Sequence, residues 1–329
     1  MVFAVLAAPL FSLNGQSEFS EKERRYFWRL AEAYPNHKVY LPQNHLTHTV
    51  YKVAEGYLFK GKLLGQGNWG KVFRALYCKT NGGISEECVM KTEYAENRVG
   101  KLVNSVVNIR ETMRREALTF KNFYGFGEYL EITEPGSNAI TFAIVMPLLG
   151  ETNLEKLLEQ PQLLELIPLR EWVGLFARIT ILVDAFHKST AFLHDDIKPA
   201  NIGVTVNYCG YGKWLVFTQG NILDFGNAHH PDTLHRPGDK KYQPPEIFSH
   251  KKRTRKVDVF TLGKTFLEAF TIVGKNGTYG PPEYVLLCEC TQLLLRMIAP
   301  NPADRPELST VLNELIKIIH NFDDFLARL

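Results

Sequence analysis

The pattern of apolar and polar positions changes character near residue 150. Residues 58–92 read as strands joined by turns, with Asn81-Gly82-Gly83 as a hairpin signal. Residues 104–122 carry apolar positions at helical spacing, and 139–149 return to a strand followed by an extended stretch. From about 151 onward helical patterns dominate, except for a strand-rich island around 202–224. Upstream, Ser20-Glu21-Lys22-Glu23 fits a capping box, and Tyr26, Phe27, Leu30 and Ala31 follow at helical spacing. That predicts a helix over 16–34, ended by Pro35, with short extended pieces over 35–57. The expected architecture is a strand-rich N-terminal lobe, a helical C-terminal lobe and a crossing near 147–150.

Composition narrows the function classes. The chain has 329 residues, 45% hydrophobic and 22% charged, which is ample for a large core. A formal charge of +3 gives no argument for nucleic acid. Five scattered cysteines, an odd number, predict free thiols and a reducing, cytoplasmic compartment. Cys288 and Cys290 lack a second ligand pair at metal spacing, so a structural role is expected. The first eleven residues are apolar, but no basic residue precedes them as a secretory leader requires. A strand or packing segment is expected there, and no membrane span anywhere.

Four clusters carry candidate chemistry. Gly65-Gln66-Gly67-Asn68-Trp69-Gly70-Lys71-Val72 is glycine-rich, but the residues after it alternate like a strand rather than opening a helix. A bare hairpin backbone can close over nucleotide phosphates, with Trp69 at its tip excluding water. Lys91 ends the apolar run Cys88-Val89-Met90, where a buried ammonium needs a partner. Glu116 is the expected partner and Glu111 the alternative. His194-Asp195-Asp196-Ile197-Lys198-Pro199-Ala200-Asn201 crowds carboxylates, an ammonium and an amide into one loop. Phosphoryl transfer needs such groups: Asp196 to orient a hydroxyl, Lys198 to face the phosphoryl group, Asn201 to hold Mg2+. Finally, Asp224-Phe225-Gly226 closes a strand with a carboxylate suited to bridging Mg2+ and phosphates.

In this order and spacing the motifs resemble the eukaryotic-type protein kinase superfamily over about residues 58–320. The resemblance implies an α+β bilobal fold, with an N-terminal extension over 1–57, an N-lobe over 58–147 and a C-lobe over 148–329. It implies ATP contacts at Gly65, Gly67, Trp69, Gly70, Val72, Val89, Lys91, Met146 and Leu148. Catalysis would rest on Asp196, Lys198, Lys91 and Glu116, and metal on Asn201 and Asp224. It also implies that Asp258 braces the catalytic loop, that Arg305 pairs with Glu246 of Pro244-Pro245-Glu246, and that Phe120, Phe225 and His194 stack. Asp-x-Lys-Pro-x-Asn is similar to serine/threonine kinases, so the implied acceptor is a Ser or Thr hydroxyl of a protein. A pseudokinase that binds nucleotide or partners, and a small-molecule kinase, are the alternatives.

The sequence departs from the family pattern at several positions. Asp195 replaces the arginine that binds a phosphate on the activation segment, which implies activity without that modification. Segment 224–246 has Thr233 as its single Ser/Thr hydroxyl. Val89 replaces an alanine above adenine, and Asp239 replaces a threonine facing the catalytic aspartate. Between Asn201 and Asp224 lies an aromatic-rich hairpin, Tyr208 to Trp214, with no expected role beyond decoration. The basic run His250 to Lys256 reads as a solvated loop. Residues 1–57 are expected to pack on the N-lobe or to dock a regulatory partner. Host cytosol is the expected location if the chain is a viral protein or a delivered effector.

Overall fold

The computed structural model describes residues 27–327, except 28, 30, 32, 34–35, 42–45, 54–55, 68–69, 80–85, 95–102, 134–139, 210–213, 234–237, 249–252 and 278. The expectations for 1–26, for the Asn81-Gly82-Gly83 turn and for Trp69 therefore fall outside the described residues.

The small lobe is a seven-stranded antiparallel sheet ordered β1-β2-β3-β4-β5-β7-β6. Its strands are β1 (Lys38–Leu41), β2 (Leu46–Val53), β3 (Gly56–Gly67), β4 (Gly70–Lys79), β5 (Glu86–Tyr94), β6 (Glu128–Thr133) and β7 (Ile140–Pro147). Helix α1 (Val103–Tyr124) packs against it. In β7 every residue after Ile140 is buried, because the strand lies between β5 and β6 with both faces covered. From Phe142 on, its sequence is accordingly an apolar run without alternation.

The sheet continues upstream of residue 58. Strand β2 pairs with β3 from Thr49↔Lys60 to Val53↔Gly56, and β1 pairs with β2. Phe27 and Ala31, both helical, pack on Val50, Phe59, Leu76 and Cys78, with the Phe27 and Phe59 rings 4.6 Å apart. Burial of a side chain such as Phe27 contributes about 1.5–3 kcal/mol.

The large lobe is built on α4 (Leu169–Thr190), α6 (Lys256–Asn276), α7 (Pro281–Met297) and α8 (Leu308–Leu326), with short helices α2 (Leu154–Leu158), α3 (Pro161–Leu164) and α5 (Pro245–Phe248). Helix α8 buries one stripe, Leu308, Val311, Leu315, Ile318 and Phe322, at three- and four-residue steps. Helix α4 stops at Ala191, whose left-handed φ of 60° turns the chain into the 194–201 loop. A small sheet, β8 (Thr152–Asn153), β9 (Ile202–Cys209) and β10 (Trp214–Ile222), is the expected strand island. The strand that leaves the aromatic-rich hairpin is anchored in the lobe. Leu215 and Phe217 are buried, Phe217 meets Trp172 of α4 at 5.1 Å, and β10 leads directly to Asp224. Tyr208, Cys209 and Trp214, at the hairpin's outer end, stay exposed.

One apolar cluster joins the lobes, running from Val89, Met113 and Phe120 through Phe225 to Phe322. All five cysteines are free. Among the described residues no helix is long and apolar enough to cross a membrane.

Candidate active site

The glycine-rich segment is a strand-turn-strand. Gly67 pairs with Gly70 and Gly65 with Val72 across β3 and β4, so no helix follows it. A Cβ at Gly70 would lie 2.0 Å from the Thr92 carbonyl oxygen, so a side chain cannot fit there. Beneath this hairpin, Val89 of β5 and Met146 of β7 sit opposite one another, both buried, with Leu148 half-buried just beyond β7.

Lys91 comes from the same strand as Val89, two residues on. Its Nζ donates to Glu116 Oε1 at 2.9 Å, Glu116 Oε2 at 3.0 Å and Asp224 Oδ1 at 2.8 Å. Glu116 is only 2% exposed and sits on the sheet-facing side of α1. Glu111, the alternative partner, is largely exposed and faces Arg114. Burial alone would lower the Lys91 pKa, but the carboxylates of Asp224 and Glu116 more than reverse this and keep it charged. Burial raises Glu116 to about 7, with Lys91 pulling the other way. Desolvation would raise the Asp224 pKa, but Lys91 outweighs it and holds the carboxyl below the usual carboxylate range.

Asp224 has a left-handed backbone, φ 60°, and its Oδ1 accepts from Gly226 N at 3.4 Å. This turn drives Phe225 into the core, where its ring meets Phe120 at 4.7 Å, Phe186 at 4.9 Å and His194 at 5.4 Å. The expected stack is present, extended by Phe186 and Phe123. His194 Nε2 lies 3.0 Å from the Leu223 carbonyl oxygen, a packing contact. Tyr124, at the end of α1, donates to the Ile222 carbonyl at 2.9 Å and accepts from Ile222 N at 3.1 Å. That clamp between the small lobe and β10 had no counterpart in the sequence reading.

The 194–201 loop is held from below. Asp258 Oδ2 accepts from His194 N at 2.7 Å and its Oδ1 accepts from Asp195 N at 2.8 Å, while His187 Nε2 lies 2.7 Å from Oδ2. Burial would raise the Asp258 pKa, but these donors outweigh it and hold it low. Above this brace, Asp196 Oδ2 lies 3.0 Å from Lys198 Nζ and accepts from Asn201 Nδ2 at 3.0 Å. Its Oδ1 accepts from Asp239 N at 3.0 Å. The carboxylate of Asp239, in place of a threonine, lies 4.0 Å from Lys198 Nζ.

The donor set suits a hard cation. Asn201 spends its amide nitrogen on Asp196, so its carbonyl oxygen is left for a metal, and Asp224 keeps a half-exposed carboxylate. Two such oxygens with water completing the shell fit Mg2+. Among the described residues there is no group of three or more His, Cys, Asp or Glu that would make a closed protein cage.

The brace in the large lobe is complete. Arg305, 1% exposed, donates from Nη1 to Glu246 Oε1 at 2.6 Å and from Nη2 to Oε2 at 2.8 Å. The basic run is not a freely solvated loop where it is described. Arg253 pairs with Asp195, Arg255 donates to the His187 carbonyl at 3.1 Å, and Lys256 donates to the Arg305 carbonyl at 2.6 Å. Sequence reasoning also missed Gln243, whose Nε2 donates to the Asp195 carbonyl at 2.9 Å, and Gly238, packed against Asp196.

A bilobal fold with a lysine-glutamate pair on the small lobe, facing two aspartate loops on the large one, is the architecture of a protein kinase domain. The protein kinase domain model matches residues 58–276, and the chain belongs to that family as a divergent member. It is 23% identical over 228 residues to the mitosis inhibitor protein kinase SWE1 of Saccharomyces cerevisiae, covering 65% of this chain and 25% of that protein. It is 24% identical over 273 residues to an Aurora kinase of Schizosaccharomyces pombe, covering 77% of this chain and 69% of that protein. A third relative is a membrane-associated tyrosine- and threonine-specific cdc2-inhibitory kinase of Caenorhabditis elegans, 36% identical over 107 residues, covering 32% of this chain and 14% of that protein. The chain thus spans about a quarter of the length of the mitosis inhibitor it matches.

Proposed function

We propose that the chain transfers the terminal phosphoryl group of ATP, with Mg2+, to Ser or Thr hydroxyls of a protein, without prior phosphorylation of its activation segment. The observation that carries this reading is the joint assembly of two charge clusters: Lys91 with Glu116 and Asp224, and Asp196 with Lys198 and Asn201.

Lys91 orients the nucleotide phosphates, and Glu116 keeps its ammonium in register. Gly65, Gly67, Gly70 and Val72 cover the phosphates with backbone, while Val89, Met146 and Leu148 contact adenine. Asp224 and Asn201 are the residues that would hold Mg2+, which would supply charge neutralisation at the phosphates. Asp196 accepts the hydroxyl proton as the acceptor oxygen attacks the terminal phosphorus and the bond to the bridging oxygen breaks to release ADP, and Lys198 offsets the charge on the phosphoryl oxygens. Lys198 two residues after Asp196 supports Ser/Thr acceptors.

The test is transfer of labelled terminal phosphate onto the chain itself and onto a basic protein, with Ser, Thr and Tyr peptides as acceptors. Transfer lost in both Asp196→Ala and Asp224→Ala supports the reading, and label on tyrosine alone overturns the acceptor class. ATP binding without transfer by the native chain would make it a pseudokinase, and label on metabolites alone a small-molecule kinase.

A further inference from the structure

Asp195 occupies the position before Asp196 and is completely buried, with a left-handed φ of 58°. A buried carboxylate on a strained backbone persists only where its surroundings determine it. Three segments do so here. Asp258 of α6 takes the Asp195 backbone N–H, and Gln243, just ahead of α5, feeds the backbone carbonyl. The third segment reaches the side chain, where Arg253 Nη1 lies 2.5 Å from Asp195 Oδ2.

The same Nη1 lies 3.3 Å from His229 Nε2. His229 Nδ1 is 2.8 Å from the Asn227 carbonyl oxygen, so Nδ1 carries the proton and Nε2 accepts from Arg253. Burial holds the His229 pKa below the usual range, which keeps this acceptor neutral. His229 belongs to the activation segment and is bridged to the catalytic loop by two backbone hydrogen bonds with Leu193, 2.8 and 3.1 Å. One guanidinium therefore joins the catalytic loop, the activation segment and the segment entering α6.

We infer that Arg253 is a positioning residue: its pairing with Asp195 and His229 fixes the backbone that aims Asp196, with the charges carried the opposite way round from an arginine in the catalytic loop meeting an anion on the activation segment. The inference rests on the kinase reading for its catalytic consequence, but the contact itself does not. Burial, with the carboxylates of Asp258 and Asp196 nearby, raises the Asp195 pKa to about 8 even though Arg253, and to a lesser extent Gln243, pull the other way. Without Arg253 the carboxyl loses its main opposing charge, and the tie between the catalytic loop and His229 is reduced to the backbone pair with Leu193.

The experiment is a double-mutant cycle over Arg253→Ala, Asp195→Asn and Asp195→Asn/Arg253→Ala, with two readouts. The first is phosphate transfer as a function of ATP. The second is amide hydrogen exchange over residues 194–201. Arg253→Ala is expected to lower kcat at least about tenfold with KM for ATP within about twofold, because the loss falls on positioning and not on nucleotide binding. It is expected to speed exchange in the loop. The double variant recovers much of both, because it leaves no buried charge alone. Native kcat and native exchange in Arg253→Ala, or losses that simply add, overturn the inference. Should the native chain transfer no phosphate, the kinase reading fails while the exchange cycle still decides whether Arg253 holds the loop.

Discussion

Arg305 offers a quantitative test of what holds the large lobe together. Its guanidinium donates to both oxygens of Glu246, to the Ala299 carbonyl at 2.8 Å, to the Lys256 carbonyl at 3.0 Å and to the Pro300 carbonyl at 3.2 Å. It also lies 4.8 Å from the Phe260 ring centroid. Every face of the group is used, and both partners of the ion pair are nearly inaccessible. Arg305→Met keeps the volume but leaves a buried carboxylate and three carbonyls without their donor. Removing one partner of such a pair costs about 3–5 kcal/mol. For a domain of this size that lowers Tm by roughly 6–20 °C, at about 2–4 °C per kcal/mol. Glu246→Gln retains shape and one hydrogen bond, so about 1–2 kcal/mol is expected. The double change Arg305→Met/Glu246→Leu removes both charges and recovers part of the loss. The assay is unfolding followed by circular dichroism for all three chains, at one protein concentration. A loss below about 1 kcal/mol for Arg305→Met would refute the claim that this pair fastens α5 to the segment between α7 and α8.

Further predictions follow from single contacts. Gly238→Ala places a Cβ 2.5 Å from the Asp195 carbonyl oxygen and 2.6 Å from Asp196 Oδ1, so kcat should drop by about 100-fold while Tm changes little. Native kcat would show that the loop yields freely. Thr233→Ala removes the segment's Ser/Thr hydroxyl, which donates only locally to the His230 carbonyl, and turnover should stay unchanged. A large loss would mean that Thr233 is modified or touches substrate. Tyr124→Phe strips the Ile222 N–H and carbonyl of a buried partner and should cost about 1–3 kcal/mol in denaturant unfolding. Asp258 is held below its ordinary value, so its contribution is present above about pH 4 and fades as pH falls through the lowered value. Asp258→Asn should therefore be less stable than the native chain at pH 7, with the gap narrowing by pH 3. A constant gap across that range would refute the charge-based account.

The parts of this molecule legible in its sequence are those whose chemistry is local. Lys91 ends one apolar run, Asp224 follows another, and Asp196, Lys198 and Asn201 share one loop, so spacing alone placed them near a common chemistry. The choice of Glu116 over Glu111 also followed from local pattern, since Glu116 lies one turn before Phe120 on the inward face of α1. Contacts between distant segments were harder to see. Gln243, Arg253 and Tyr124 reach partners 48, 58 and 98 residues away, and no periodicity marks a polar side chain that spans such a gap. Strands β1 and β2 were foreseen only as short extended pieces, because a strand added to a sheet edge takes its register from the neighbour.

The basic run shows why charge density alone misleads. From sequence, His250 to Lys256 reads as solvent-facing, since clustered cations repel one another and favour water. Where the chain is described, each cation instead meets its own acceptor: Asp195 for Arg253, the His187 carbonyl for Arg255, the Arg305 carbonyl and Glu307 for Lys256. A run of cations entering a helix thereby ties three different parts of the lobe to one point. The acidic residue at 195 makes this arrangement selective. An arginine there would set a second cation beside Arg253 and repel it, whereas the carboxylate pairs with it. The departure at 195 and the cation at 253 are therefore best understood as one feature: each residue out of pattern supplies the charge that the other requires.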